Sequence, residues 1–237
     1  MNVALQKRFW KKVTVRDAAS GFSIFLDEKP LKTPLKAPLL VPTRAFADGI
    51  AAEWDGVQDK LNLAKMHLTR CANATIDKVM HEQDAVAGLL AEYGGTDLLC
   101  YRAEAPQELV LRQSAAWDPL LDWIAKTHGV NLLPVSGVMF QPQPADSLEK
   151  FEALTRVYGP WELTALHDLV TISGSLVLGL AVVQKHLTAQ QAWDLSQVDE
   201  LWQEEQWGAD EEATQSAALK CQGFIRAEHL LRLLAQK

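Results

Sequence analysis

Between Asp199 and Glu212 the chain sets seven carboxylates beside two tryptophans, Trp202 and Trp207, with no Lys or Arg among them. A helix face that meets only water usually interleaves both signs, because opposite charges three or four residues apart support each other. An unrelieved acidic surface carrying large aromatics also fits a contact surface, since Trp is enriched at interface hot spots. Two readings stand side by side: a solvated acidic helix with its tryptophans turned inward, or a surface that meets another protein.

Other reactive residue types are present without a specific signature. Cys71 follows His67 by one helical turn, the spacing of a thiolate and its base, but nothing else supports a nucleophile and a small buried thiol explains it better. Asp97 follows Gly94, Gly95 and Thr96 and precedes Arg102, which reads as a helix stop and a new cap, or as a weak mimic of a phosphate loop. Gly174 and Gly179 have the glycine spacing of a phosphate-cradling loop, but Leu180 stands where lysine is required. Ser173 and Ser175 flank Gly174 in an apolar run, where packing outweighs a nucleophile elbow. None of the six histidines stands at metal-ligand spacing with another, and His167 beside Asp168 reads as a cap or a buried hydrogen bond. The sequence implies no catalytic residue, no metal and no cofactor.

The composition sets bounds. The 237 residues, 48% hydrophobic and 22% charged, suit one large domain or two smaller ones. A net charge of −7 argues against nucleic-acid binding, which needs a basic stripe. Three distant cysteines without a CxxC pair suggest free thiols in a reducing compartment. The N-terminal stretch from Met1 to Trp10 lacks the apolar core of a secretory signal. Leu169 to Val183, the longest apolar run, falls short of the ~20 residues a membrane span needs, so it reads as a buried helix without membrane insertion.

The elements that position these groups change character along the chain. Phe9 to Val15 and Phe22 to Leu26 read as strands around a turn at Ala18 to Gly21. Asp27 to Pro30 is a second turn, and Leu31 to Pro34 and Leu39 to Pro42 read as short edge strands cut by prolines. Thr43 then caps a helix bearing Phe46, Ile50, Trp54 and Val57. From there almost everything is helical, including a helix carrying Leu68, Ala72, Ile76 and Val79. Another is started by Pro119, a long apolar one by Pro160, and another by Thr188. The expected fold class is α+β: a small β-rich N-terminal domain, 1–80, followed by a larger mainly α-helical C-terminal domain, 81–237.

Several of these segments together resemble a known family. They are Arg8 to Lys11, Leu31 to Pro34, Ala52 to Trp54, Gly95 to Arg102, Gln113 with Trp117 to Leu120, Ser173 to Ser175, Asp199 to Gln203 and Trp207 to Ala213. Their order and spacing, from about residue 8 to about residue 225, resemble the assembly chaperone of the F-type ATP synthase that handles the alpha subunit of the catalytic head. That family occurs in mitochondria and in α-proteobacteria. The resemblance implies a non-enzymatic protein that binds free alpha subunit and keeps it from aggregating until the beta subunit replaces it. It implies partner contact through Glu200, Gln203, Trp207, Asp210 and Glu211, with Lys32, Thr33 and Pro34 as a second contact. Lacking the presequence of mitochondrial members, the chain is expected in a bacterial cytoplasm or as a mature form. No heptad repeat suggests an oligomer, so a monomer is expected. The residues alone also admit a generic adaptor that uses the acidic-aromatic surface for an unrelated partner.

Overall fold

The computed structural model describes residues 7–137 and 139–236. Residues 1–6, part of the stretch read for a targeting signal, lie outside the described residues.

β1 (Val13–Ala18) and β2 (Gly21–Leu26) pair antiparallel, with Val13 opposite Leu26 and Ala18 opposite Gly21. The far side of β2 takes β3 (Lys29–Pro30) at Phe25 and Leu26, and β4 (Leu40–Val41) at Phe22 and Ser23. The first strand therefore begins at Val13 rather than at Phe9. Leu31 to Pro34 is not a strand: Leu31 N–H donates to the Ile24 carbonyl at 2.8 Å, and Lys32 forms an isolated bridge with Pro38. Its backbone is taken by a local turn: Lys36 N–H donates to Thr33 at 2.9 Å, and Thr33 N–H donates to Ala37 at 2.9 Å. Pro34 has no N–H to offer a neighbouring strand.

Thr43 caps α1 (Arg44–Asp55) through its hydroxyl, and Phe46, Ala47, Ile50 and Trp54 bury one face of that helix. The Glu53 carboxylate accepts from the Leu68 and Thr69 amides at 2.7 and 2.8 Å, so α1 caps α2 (His67–Ala74). A negative group there meets the orphan amides and the positive end of the helix dipole. Trp10 packs on Trp54 with ring centres 5.2 Å apart, closing the sheet onto α1.

The remaining strands and α-helices are α3 (Gln83–Glu92), β5 (Tyr101–Arg102), α4 (Gln107–His128), β6 (Val135–Ser136), α5 (Ala145–Arg156), α6 (Pro160–Ser173), α7 (Leu176–Val183), α8 (Ala189–Ser196), α9 (Val198–Trp207) and α10 (Glu211–Ala235), with a π-helical turn at Thr75–Val79 and short 3₁₀ turns at Leu63–Lys65, Tyr93–Gly95 and Leu98–Cys100. The architecture is α+β, a small N-terminal sheet followed by a mainly helical chain. The described residues divide into two compact units. One takes the chain up to Gln83 with Pro160–Thr164 and the residues from His229 on. The other takes Asp84–Gly159 and Ala165–Glu228.

Two helices differ from what the sequence pattern predicts. Pro119 does not open a helix but lies inside α4. The missing N–H there is outweighed by the burial of Trp117, Leu120, Leu121 and Ile124 along one face. The apolar run after Pro160 is two helices rather than one. Gly174 takes the left-handed conformation (φ 72°) that ends α6, and the Ser175 hydroxyl caps α7 by accepting from Leu178. α7 is buried from Leu176 to Val182, and Gly179 lets it approach α6: an added Cβ would stand 2.8 Å from Val170 Cγ2.

Candidate partner-binding site

The acidic-aromatic segment is not one helix. α9 ends at Gly208, whose φ of 89° is a conformation L side chains rarely adopt. Asp210 then caps α10, accepting from Ala213 N–H at 2.7 Å. Asp199 and Glu200 in the first turn of α9, and Glu211 and Glu212 in that of α10, stand where helix dipoles favour negative charge. Local physics thus accounts for part of the acidity.

Helical periodicity splits the rest between two faces of α9. Asp199, Trp202 and Glu205 lie on one face. Gln113 Nε2 donates to Asp199 at 2.7 Å, and its own Oε1 accepts from Ala103 N–H. Arg112 forks onto Glu205 at 2.7 and 2.9 Å. That pairing raises the Arg112 pKa and lowers that of Glu205, in each case chiefly through the hydrogen bonds between them. Just before α9, Trp117 Nε1 donates to the Leu195 carbonyl at 2.8 Å. Neighbouring residues of α4 therefore fix the back of α9.

The opposite face carries Glu200, Glu204 and Trp207. With the facing sides of α8 and α10 it forms a groove of about 410 Å³. Trp193, Leu201, Ala213 and Ala217 supply apolar lining, and Asp194, Glu200, Glu204 and Asp210 supply four carboxylates. Among the described residues no Lys, Arg or His lines it. Trp207 is 79% exposed and Leu201 41%, so this tryptophan is not turned inward. Glu200, Gln203, Trp207 and Asp210 all border the groove, whereas Glu211 is exposed beyond its lining. The sequence did not single out Trp193, Leu201, Ala213 and Ala217. Their spacing reads as ordinary helix packing, and only the approach of three helices makes it a groove.

In the other unit Lys32 and Pro34 are exposed, while Thr33 is buried. The Thr33 hydroxyl donates to Asp77 Oδ1 and accepts from Ala37 N–H at 3.1 Å, and Asp77 Oδ2 accepts from Leu35 N–H at 3.2 Å. Thr33 thus holds the turn that presents Lys32 and Pro34.

Cys71 is buried, its Sγ 3.5 Å from His67 Nε2. Asp97 is fully buried and does not hydrogen-bond Arg102. Its carboxylate accepts from Leu99 N–H at 3.1 Å, Ser175 Oγ at 2.7 Å and Val177 N–H at 3.0 Å, joining a short 3₁₀ turn to the start of α7. Burial raises its pKa to about 6, and these hydrogen bonds oppose the rise. Arg102 instead binds the Leu99 carbonyl and Asp118, both at 2.8 Å. Cys100 beside it is pushed up to about 12, first by burial and then by the Asp97 charge, so its thiolate is suppressed. Among the described residues no group of three or more His, Cys, Asp or Glu could hold a metal, and no helix is long and apolar enough to cross a membrane.

The family model described as ATP12 chaperone protein matches residues 7–125. The solved Atp12 of Paracoccus denitrificans is 46% identical, with a TM-score of 0.93 over 96% of this chain and 98% of that one. A solved protein of Agrobacterium tumefaciens is 41% identical, with a TM-score of 0.91 over 97% of this chain and 87% of that one. The mitochondrial atp12 protein of Schizosaccharomyces pombe is 24% identical over 219 residues, 87% of this chain and 75% of that protein.

Proposed function

This chain belongs to the ATP12 chaperone family, and on that premise we propose that it binds the free alpha subunit of the F-type ATP synthase head until the beta subunit takes its place. Alpha and beta alternate in the finished head, so a lone alpha subunit exposes surface that drives aggregation. A temporary cover has to bind specifically and then yield. Polar and aromatic contacts suit that better than a greasy permanent interface.

The observation that carries this reading is the exposure of Trp207 beside carboxylates that no cation of the groove neutralises. Glu200, Gln203, Trp207, Asp210 and Glu211 form the main contact. Lys32 and Pro34, held by Thr33, form a second. The protein acts as a monomer, catalyses no reaction and needs no cofactor or nucleic acid. It works where the head assembles, in the bacterial cytoplasm or, for eukaryotic relatives, in the mitochondrial matrix.

The test is light scattering of isolated alpha subunit diluted from denaturant, with and without one equivalent of this protein. Suppression at one-to-one stoichiometry, with this protein released and scattering still low once beta subunit is added, supports the reading. Unchanged aggregation contradicts it.

A further inference from the structure

The groove between α8, α9 and α10 restricts what can enter it. Its four carboxylates lie on apolar walls, and among the described residues no cation of the groove balances them. Glu200 and Glu204 make no side-chain hydrogen bond or ion pair among the described residues, unlike Asp199 and Glu205 on the back of the same helix. Covering two unpaired carboxylates with purely apolar surface would strip their hydration without compensation. An acidic segment would be repelled. An occupant therefore has to bring its own cations together with an apolar group.

The spacing narrows it further. Glu200 and Glu204 are one helical turn apart, about 6 Å along the axis. A ligand helix places residues i and i+4 at about that separation, and a strand places i and i+2 close to it. Trp207 and Leu201 border the same face and offer an apolar and aromatic platform, exposed by 79% and 41%. The small side chains of Ala213 and Ala217 leave the α10 side open. A volume near 410 Å³ falls within the range of about 300–1,000 Å³ found for pockets that bind discrete ligands.

We propose that this groove receives a basic segment of the partner, in which two Lys or Arg residues about 6 Å apart reach Glu200 and Glu204 and one large apolar side chain rests on Trp207 and Leu201. The inference deepens the alpha-subunit reading and rests on it for the identity of the partner. The recognition chemistry follows from the groove.

The experiment uses the full chain and a dye-labelled synthetic helix carrying Lys at i and i+4 around one Leu, with a Glu-for-Lys version as control. Binding is read by fluorescence anisotropy, and binding of whole alpha subunit is measured alongside. Three variants accompany the wild type: Glu200→Lys with Glu204→Lys, Ala217→Trp to fill the groove without changing charge, and Glu212→Lys outside the lining.

The basic helix is expected to bind and to compete with alpha subunit, and the acidic one to do neither. The double reversal and Ala217→Trp should each weaken binding about tenfold or more. Glu212→Lys should change it by less than about threefold. Equal binding of both helices, or equal losses in all three variants, overturns the groove as the receptor. If alpha subunit binds but neither groove variant weakens it, the inference fails and the chaperone reading stands. If alpha subunit does not bind while the basic helix still binds in the groove, the chaperone reading fails and the groove's preference stands.

Discussion

The guanidinium of Arg112 on α4 holds both carboxylate oxygens of Glu205 on α9, at 2.7 and 2.9 Å. With Gln113 on Asp199, it commits the back of α9 to the fold and leaves Glu200, Glu204 and Trp207 on the other face. Charge reversals along α9 should therefore differ in kind. Glu204→Lys should leave the melting temperature within about 2 °C of wild type, because its carboxylate holds no other side chain, and should weaken alpha-subunit binding. Glu205→Lys should lower the melting temperature by setting two cations against each other. Calorimetry and titration of both variants check this. Equal melting temperatures with equal affinities contradict the division.

Trp207 offers a second test. At 79% exposure it contributes little to the folded unit, so Trp207→Ala should shift stability by no more than about 0.5 kcal/mol. As an interface anchor it should weaken alpha-subunit binding by about 2 kcal/mol, some thirtyfold. Unchanged affinity in isothermal titration would move the contact away from α9.

Asp97 should leave a signature in the pH dependence of stability. Its folded pKa, about 6, lies above the ordinary value of 3.8 because it is buried. A raised carboxyl favours folding while protonated. That contribution is fully present below about pH 4 and is lost as pH rises through about 6. Between about pH 4 and pH 7 the wild type should lose about 3 kcal/mol relative to Asp97→Asn, which cannot ionise. Denaturant unfolding of both proteins across that range measures it. Parallel stability curves contradict the account.

Thr33 is expected to act through structure. Thr33→Val keeps the shape but removes the bond to Asp77 and leaves Ala37 N–H without its hydroxyl acceptor. The loss should be about 1–3 kcal/mol, read by urea unfolding. A stability equal to wild type would assign Thr33 a purely contact role.

Cys71 and His67 touch, yet the thiol is buried. Cys71→Ala should therefore preserve suppression of alpha-subunit aggregation, at a stability cost of about 1 kcal/mol for the small volume lost. Loss of suppression at full folding would revive the thiol as a functional group.

What was readable in the sequence follows the range of the interactions. The Thr43 cap with the face of Phe46, Ile50 and Trp54 depends on neighbours within a few turns, and these are found together on α1. The break between α6 and α7 was also encoded locally, by Gly174 followed by the capping Ser175, but the apolar run around them concealed it. Pro119 misled in the opposite direction, because packing carries α4 through it. For the site, the acidity of the segment and its tryptophans were visible. The split into two faces was not, because Arg112 lies 93 residues from Glu205 and Gln113 lies 86 residues from Asp199. Nor could Ala213 and Ala217 be told from ordinary packing residues until three helices framed them.

The most direct test is co-expression of this protein with the alpha subunit from the same source, followed by size-exclusion chromatography, with wild type and with Glu211→Lys. A soluble one-to-one complex that the reversal weakens is the expected result. Well-folded alpha subunit that elutes apart from the wild-type protein would contradict the account.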